Sequence, residues 1–127
     1  MKTLINGRWT DRKDEKQSND GSFKRKDTEF RNWITPDGSP GETGVGGFKA
    51  ESGRYHLYVS LACPWAHRTL IFRKLKNLEP HVGVSIVHPI MLENGWEFRT
   101  DFSQCTGDQI LGKNSIFEVY LAANKNI

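Results

Sequence analysis

Hydrophobic and polar positions divide this chain into two unequal parts. From residue 54 to about 123 the apolar residues recur with regular periods; before that they do not. Residues 55–60, Tyr-His-Leu-Tyr-Val-Ser, form an aromatic and β-branched run that predicts a strand. Ala66, Leu70, Ile71, Leu75 and Leu78 follow helical spacing, with Arg68, Arg73, Lys74 and Lys76 largely on other faces. A helix is therefore predicted from Pro64 to about Leu78, ended by Glu79-Pro80. Residues 82–87, Val-Gly-Val-Ser-Ile-Val, predict a second, buried strand that stops before Pro89. Strand, helix and strand at this spacing make a βαβ unit, with parallel strands and a right-handed crossover. Residues 91–112 carry no regular period. Ser115 with Glu118 is a capping-box pattern, and Phe117, Tyr120 and Leu121 share one face of a short helix running to Ala123.

Residues 1–53 are polar and glycine-rich, with isolated large apolar residues: Leu4, Ile5, Trp9, Phe23, Phe30, Trp33, Ile34, Val45 and Phe48. These are too sparse for a core of their own. They predict an extended, mostly irregular arm anchored side chain by side chain onto another body. Residues 35–41, Thr-Pro-Asp-Gly-Ser-Pro-Gly, have strong turn chemistry, and the mixed charges of residues 11–16 predict a solvated loop. The chain is thus α/β, with an N-terminal extension over 1–53 and an incomplete domain over 54–127. A βαβ unit with one more short helix is not a closed architecture, because parallel sheets are normally covered on both faces and have more strands. The chain reads as the front of a larger protein.

Charge and composition change this picture little. The net charge of +3 comes from scattered Lys and Arg interleaved with Asp and Glu, which is no nucleic-acid footprint. No apolar run approaches the ~20 residues that span a bilayer, and Met1-Lys2-Thr3 is not followed by a signal-peptide core. The two cysteines, Cys63 and Cys105, make neither a disulfide framework nor a zinc set, so a reducing cytoplasm is expected.

The chemistry concentrates at Cys63-Pro64-Trp65-Ala66-His67-Arg68. Cys63 is expected at the N-cap of the predicted helix with Pro64 at its first position. There it faces backbone N–H groups without intrahelical partners and the positive end of the helix dipole, where a thiolate is favoured over a thiol. The competing reading is a buried core thiol. An anion at a helix N-terminus gains ~0.3–1 kcal/mol, up to ~2 when partly buried. Lowering a thiol pKa by about two units takes ~2.7 kcal/mol. Other donors must therefore contribute. Arg68 is a candidate for that support, or else a solvated helix arginine. Ala66 stands where a Cys-x-x-Cys motif has its second sulfur, which leaves a monothiol cycle resolved by an external thiol. His67 lacks a second ligand pair, so no metal is expected. Cys105 reads as incidental. The glycines of residues 41–47 lack the Lys-Ser/Thr ending of a phosphate loop. Trp96, in an irregular segment after the second strand, is either a packing lid or a ligand-stacking wall.

Residues 54–60 and 63–68 together closely resemble the glutathionyl-hydroquinone reductases, or Xi-class glutathione transferases, relatives of the omega class. Phe30-Arg31-Asn32-Trp33, Gly44-x-Gly46-Gly47-Phe48 and Met91-Leu92-Glu93-Asn94-Gly95-Trp96 match in the same order. The resemblance implies an N-terminal extension, a thioredoxin-like glutathione-binding domain, a helical C-terminal domain and a homodimer. It implies that Cys63 takes glutathione from a glutathionyl-hydroquinone as a mixed disulfide, that a second glutathione resolves it, and that Trp96 contacts glutathione. It also implies that the rest of the thioredoxin-like domain, with a Val-Pro segment and a Glu-Ser pair, and the helical domain would follow Ile127. The alternative expectation is a truncated, non-catalytic remnant acting at most as an interaction module.

Overall fold

The computed structural model describes residues 2–11 and 27–127. Phe23 and all of the charged run beyond Asp11 lie outside the described residues. Strands β1 (Lys2–Ile5) and β2 (Arg8–Asp11) form an antiparallel hairpin, paired from Lys2↔Asp11 to Ile5↔Arg8. Its turn is Asn6-Gly7, with φ of 48° and 77°. Two successive left-handed residues are what a two-residue hairpin turn needs to match strand twist, and Asn-Gly is the pair that supplies them at least cost. That signal was present in the sequence, although the arm was expected to be mostly irregular. Strands β3 (Trp33–Thr35) and β4 (Gly47–Lys49) make a short parallel pair. In the turn after β3, Asp37 accepts hydrogen bonds from the Ser39 hydroxyl (2.6 Å) and the Ser39 N–H (3.1 Å), which hold its carboxyl below the usual range.

The βαβ unit is present. Strand β5 (Tyr55–Val59) pairs in parallel with β6 (Val82–Ile86), in register from Tyr55↔Val82 to Val59↔Ile86. The Val87 N–H extends the ladder to the Val59 carbonyl at 3.0 Å. Helix α1 (Pro64–Leu75) starts at the expected residue but stops before Leu78. Asn77, at φ 53°, closes it early. The Leu78 N–H donates to the Arg73 carbonyl at 2.9 Å and the Asn77 N–H to the Lys74 carbonyl at 3.1 Å. That pair of bonds satisfies the last carbonyls of the helix before Glu79-Pro80 is reached. Arg73 then ties the helix end to β6, donating to the Val82 carbonyl at 2.7 Å.

Helix α2 (Ile116–Ala123) begins at the Ser115 N-cap. The Glu118 carboxylate reaches back to accept from the Ser115 and Asn114 N–H groups, both at 2.9 Å. Two of the expected anchors reach α2 by their rings, while Trp33, Ile34, Val45 and Phe48 stay exposed. Trp9 stacks on Phe117 with ring centroids 4.6 Å apart, and Phe30 stacks on Tyr120 at 5.9 Å. The most buried apolar residues are Val59, Val87 and Phe98, with Ser60, Ser85 and Ser115 among them. Val59 ends β5 and Val87 follows β6, so this small core sits at the carboxyl ends of the parallel strands.

Helix α1 is the contrast. It buries none of its side chains: Phe72 is 55% exposed, Leu75 69% and Trp65 70%. Among the described residues β5 pairs with β6 alone. An apolar helix face beside a strand with one free edge favours association with other protein surface. The chain should therefore sediment as concentration-dependent oligomers, and Phe72→Glu with Leu75→Lys should shift it towards monomer. A parent chain that stays monomeric at every concentration contradicts this.

Candidate functional site

Cys63 is the N-cap of α1, with extended backbone (φ −94°, ψ 115°) and Pro64 beginning the helix. Its carbonyl accepts the first intrahelical bond from the His67 N–H at 2.9 Å, and its own N–H donates to the Ser60 carbonyl at 3.1 Å. The Ser60 hydroxyl, at the buried end of the strand, accepts from the Ala62 N–H at 3.3 Å. The turn from β5 into α1 is thus tied to the core on the strand side and to the helix on the other. No acidic residue lies in the first turn, so no carboxylate of the helix itself opposes its positive end. The Arg68 guanidinium lies over the Trp65 ring, 4.9 Å from the centroid.

Cys63 faces a cavity of about 340 Å³ that Tyr58, Ser60, Trp96, Val119 and Tyr120 also line. Trp96 belongs to a segment held from both sides. The His88 N–H donates to the Glu97 carbonyl at 2.8 Å. The Ile116 N–H donates to the Trp96 carbonyl at 2.9 Å, and the Phe98 N–H to the Asn114 carbonyl at 2.8 Å. Residues 96–98 therefore bridge the end of β6 and the start of α2. The structure brings together the two residues singled out in the sequence, Cys63 and Trp96. It separates Cys105, which lines a different, small cleft with Leu61 and Phe102. Burial pushes the Cys105 thiol up, and the charge of Asp101 adds to this.

Behind the cavity lies a polar network. The Tyr58 hydroxyl donates to Asp108 Oδ1 at 2.9 Å. Burial first, and then the Asp108 carboxylate, raise the phenol to about 12, so it stays protonated. Asp108 also accepts from the N–H groups of Ile110 (3.0 Å), Leu111 (3.1 Å) and Lys113 (3.0 Å). Burial raises the Asp108 carboxyl, but these hydrogen bonds outweigh it and the net effect is a lowered pKa. Alongside, His56 Nε2 lies 2.7 Å from the Ser85 hydroxyl, which also accepts from the Gln109 N–H at 3.2 Å. Burial lowers the His56 pKa, with the Arg73 charge adding and Asp108 opposing. These bonds fasten the 108–113 loop to β5 and β6 and hold the Tyr58 ring in the cavity wall. Among the described residues, no group of three or more His, Cys, Asp or Glu could hold a metal ion.

No protein-family model matches the chain. The chain is 56% identical over 124 residues to the glutathionyl-hydroquinone reductase YqjG of Escherichia coli, a match covering 98% of this chain and 38% of that protein. The glutathione-bound structure of YqjG superposes with a TM-score of 0.79 at 51% identity, covering 98% of this chain and 35% of that one. A Xi-class glutathione transferase from Natrialba magadii superposes with a TM-score of 0.78 at 41% identity, covering 100% and 35%. The chain is homologous to the glutathionyl-hydroquinone reductases and Xi-class glutathione transferases. It spans little more than a third of the length of the relatives it matches. Its βαβ unit and α2 are the α/β arrangement of an incomplete thioredoxin-like domain within that Xi-class fold.

Within this Xi-class fold, sequence reasoning missed Tyr58, Ser60, Tyr120 and Asp108. Tyr58 and Ser60 stand two apart along an extended run, so their sharing of one face was legible. Which face would meet Cys63 was not. Asp108 and Tyr120 reach the site from distant points of the chain, and no local pattern marks them. The network makes a pH prediction. Because the folded Asp108 carboxyl lies below its unfolded value of ~3.9, its stabilisation is complete above that pH and is lost as pH falls through the folded pKa. Asp108→Asn should lower the unfolding free energy measured in urea at pH ~6 by ~1–2 kcal/mol for the lost charge-assisted bonds. That gap should narrow towards pH ~3. A gap that stays constant, or widens in acid, contradicts the assignment.

Proposed function

We propose that this chain forms the thiol half of a glutathione-dependent reductase, with Cys63 as nucleophile and Trp96 as a wall of the glutathione site. The observation that carries this reading is a cysteine at a helix N-cap that lines one cavity together with Trp96. Its support from outside the chain is homology to proteins named glutathionyl-hydroquinone reductases, one of them with a glutathione-bound structure.

In the proposed cycle the Cys63 thiolate attacks the sulfur of a glutathionyl-hydroquinone. A Cys63–glutathione S–S bond forms and the aryl C–S bond breaks. The ring carbon leaves with the electron pair, takes a proton and departs as the hydroquinone. The cysteine sulfur is oxidised and the ring carbon reduced. A second glutathione, as thiolate, attacks the glutathione sulfur of the mixed disulfide, releasing glutathione disulfide and restoring the Cys63 thiolate. Ala66 in place of a resolving cysteine accords with this external resolution. The cycle needs no metal and belongs in a reducing compartment such as the cytoplasm. We place residues 1–53 as an extension and 54–127 as the first part of the glutathione-binding domain, in a homodimer. One observation favours a second reading, an interaction module without turnover: the uncovered apolar face of α1.

Both readings can be tested with residues 1–127 joined to the remaining portion of the Escherichia coli relative. After reaction with a glutathionyl-hydroquinone, mass spectrometry should find the glutathione adduct on Cys63 and none on Cys105, and Cys63→Ser should not turn over. An adduct on Cys105, or turnover by Cys63→Ser, overturns the assignment. Trp96→Ala should raise the KM for glutathione and leave the melting temperature nearly unchanged. Removal of a core aromatic would instead cost ~3–5 kcal/mol. A collapsed melting temperature with unchanged KM would make Trp96 a packing residue.

A further inference from the structure

Trp9, on β2 of the N-terminal hairpin, does not line the Cys63 cavity but grips both elements that carry Trp96. Its ring is stacked on Phe117 at 4.6 Å, with the planes 11° apart. Its far edge lies against Gly95, where a Cβ would stand 3.1 Å from Cη2 and 3.2 Å from Cζ2. Gly95 has φ 73°, so a side chain there would be strained by the backbone and crowded by the indole. Gly95 immediately precedes Trp96, and Phe117 immediately follows Ile116, whose N–H holds the Trp96 carbonyl at 2.9 Å. The turn before Trp96 is closed by mutual Leu92–Gly95 backbone bonds of 2.9 and 3.0 Å, so pressure on Gly95 is passed to its neighbour. Among the described residues, the buried Trp9 Nε1 has no hydrogen-bond partner. A buried donor left unpaired costs ~1–3 kcal/mol. The ring is placed there for its shape.

We propose that Trp9 is a positioning residue, a wedge between the 92–95 turn and α2 that holds Trp96 facing Cys63 and so sets the affinity for glutathione. The affinity part rests on the reading of this cavity as the glutathione site; the wedge itself does not. An N-terminal extension that only anchored the arm would need no contact with Gly95.

The test separates the two. In the 127-residue chain labelled with 5-fluorotryptophan, the ¹⁹F signal assigned to Trp96 should move and broaden in Trp9→Ala, while that of exposed Trp65 stays in place. Trp9→Phe keeps a ring for Phe117 but lacks the far edge that meets Gly95. It should hold the melting temperature near that of the parent and still displace the Trp96 signal, and it serves if Trp9→Ala does not fold. In the joined chain, both variants should raise the dissociation constant of reduced glutathione roughly tenfold, within the range of coupling carried by residues outside a contact shell. The rate of Cys63 alkylation by iodoacetamide should not change. A Trp96 signal at the parent position in Trp9→Phe overturns the wedge. A displaced Trp96 signal with unchanged glutathione affinity keeps the wedge and overturns the glutathione reading of the cavity.

Discussion

Parallel pairing of β5 with β6 places the carboxyl ends of both strands on the same side, and each further element of the site departs from that side. A parallel ladder cannot be closed by a tight turn, so the chain must leave β5, cross as α1 and return. Its exit is the Ser60–Cys63 turn, and its second exit, after β6, is the segment leading to Trp96. The cavity lies between those two exits because of strand direction, before any side chain is considered. The most buried residues, Val59 and Val87, mark the same ends, with the Val87 N–H on the Val59 carbonyl. A ligand site at the carboxyl ends of parallel strands is the usual outcome of this geometry. Here the cavity at those ends coincides with the most buried of the described residues.

The polar residues around that core do a different task from the apolar ones. Three serines are buried with it, and two of them connect backbone to loop: Ser60 to the Cys63 turn, Ser85 to His56 and Gln109. Asp108 gathers Tyr58 and three loop N–H groups onto one carboxylate. An irregular segment such as 91–112 has no ladder of its own, so its N–H groups must be met by side chains or water. Asp108 and Ser85 meet several of them, which is why a stretch without periodicity still has a defined path past the cavity.

Periodicity made the βαβ unit legible because each of its elements is local: a β-branched run, a helical stripe and a proline at each break. The N-cap cysteine was legible for the same reason, as a motif of adjacent residues whose geometry follows from Pro64. The helix end was misjudged because Asn77 in a left-handed conformation closes a helix as well as glycine does, and Asn is a weaker signal than the Pro80 that follows. The hairpin was passed over although Asn6-Gly7 marks it, because its strands are short and sit in a polar setting. The network behind the cavity was not legible at all. Tyr58 and Asp108 are fifty residues apart in sequence, and only folding reveals that a phenol and a carboxylate share a proton-bearing contact.

The arm and α1 show the two ways an apolar side chain can be used without a large core. Trp9 and Phe30 each find one aromatic partner on α2, so a polar, glycine-rich segment is fixed at a few points at little cost in ordered residues. Helix α1 instead turns Phe72 and Leu75 to solvent, and an open hollow of about 320 Å³ is lined by Phe72 together with Leu57 and Val82. The N-terminus of α1 is held by Cys63 and Ser60, and its C-terminus by Arg73 on Val82. The helix is thus fixed at its ends by hydrogen bonds and left underpacked along its length. The end that carries Cys63 is placed by backbone geometry and does not depend on burial of the rest of the helix, so cysteine position and helix packing are set by separate interactions.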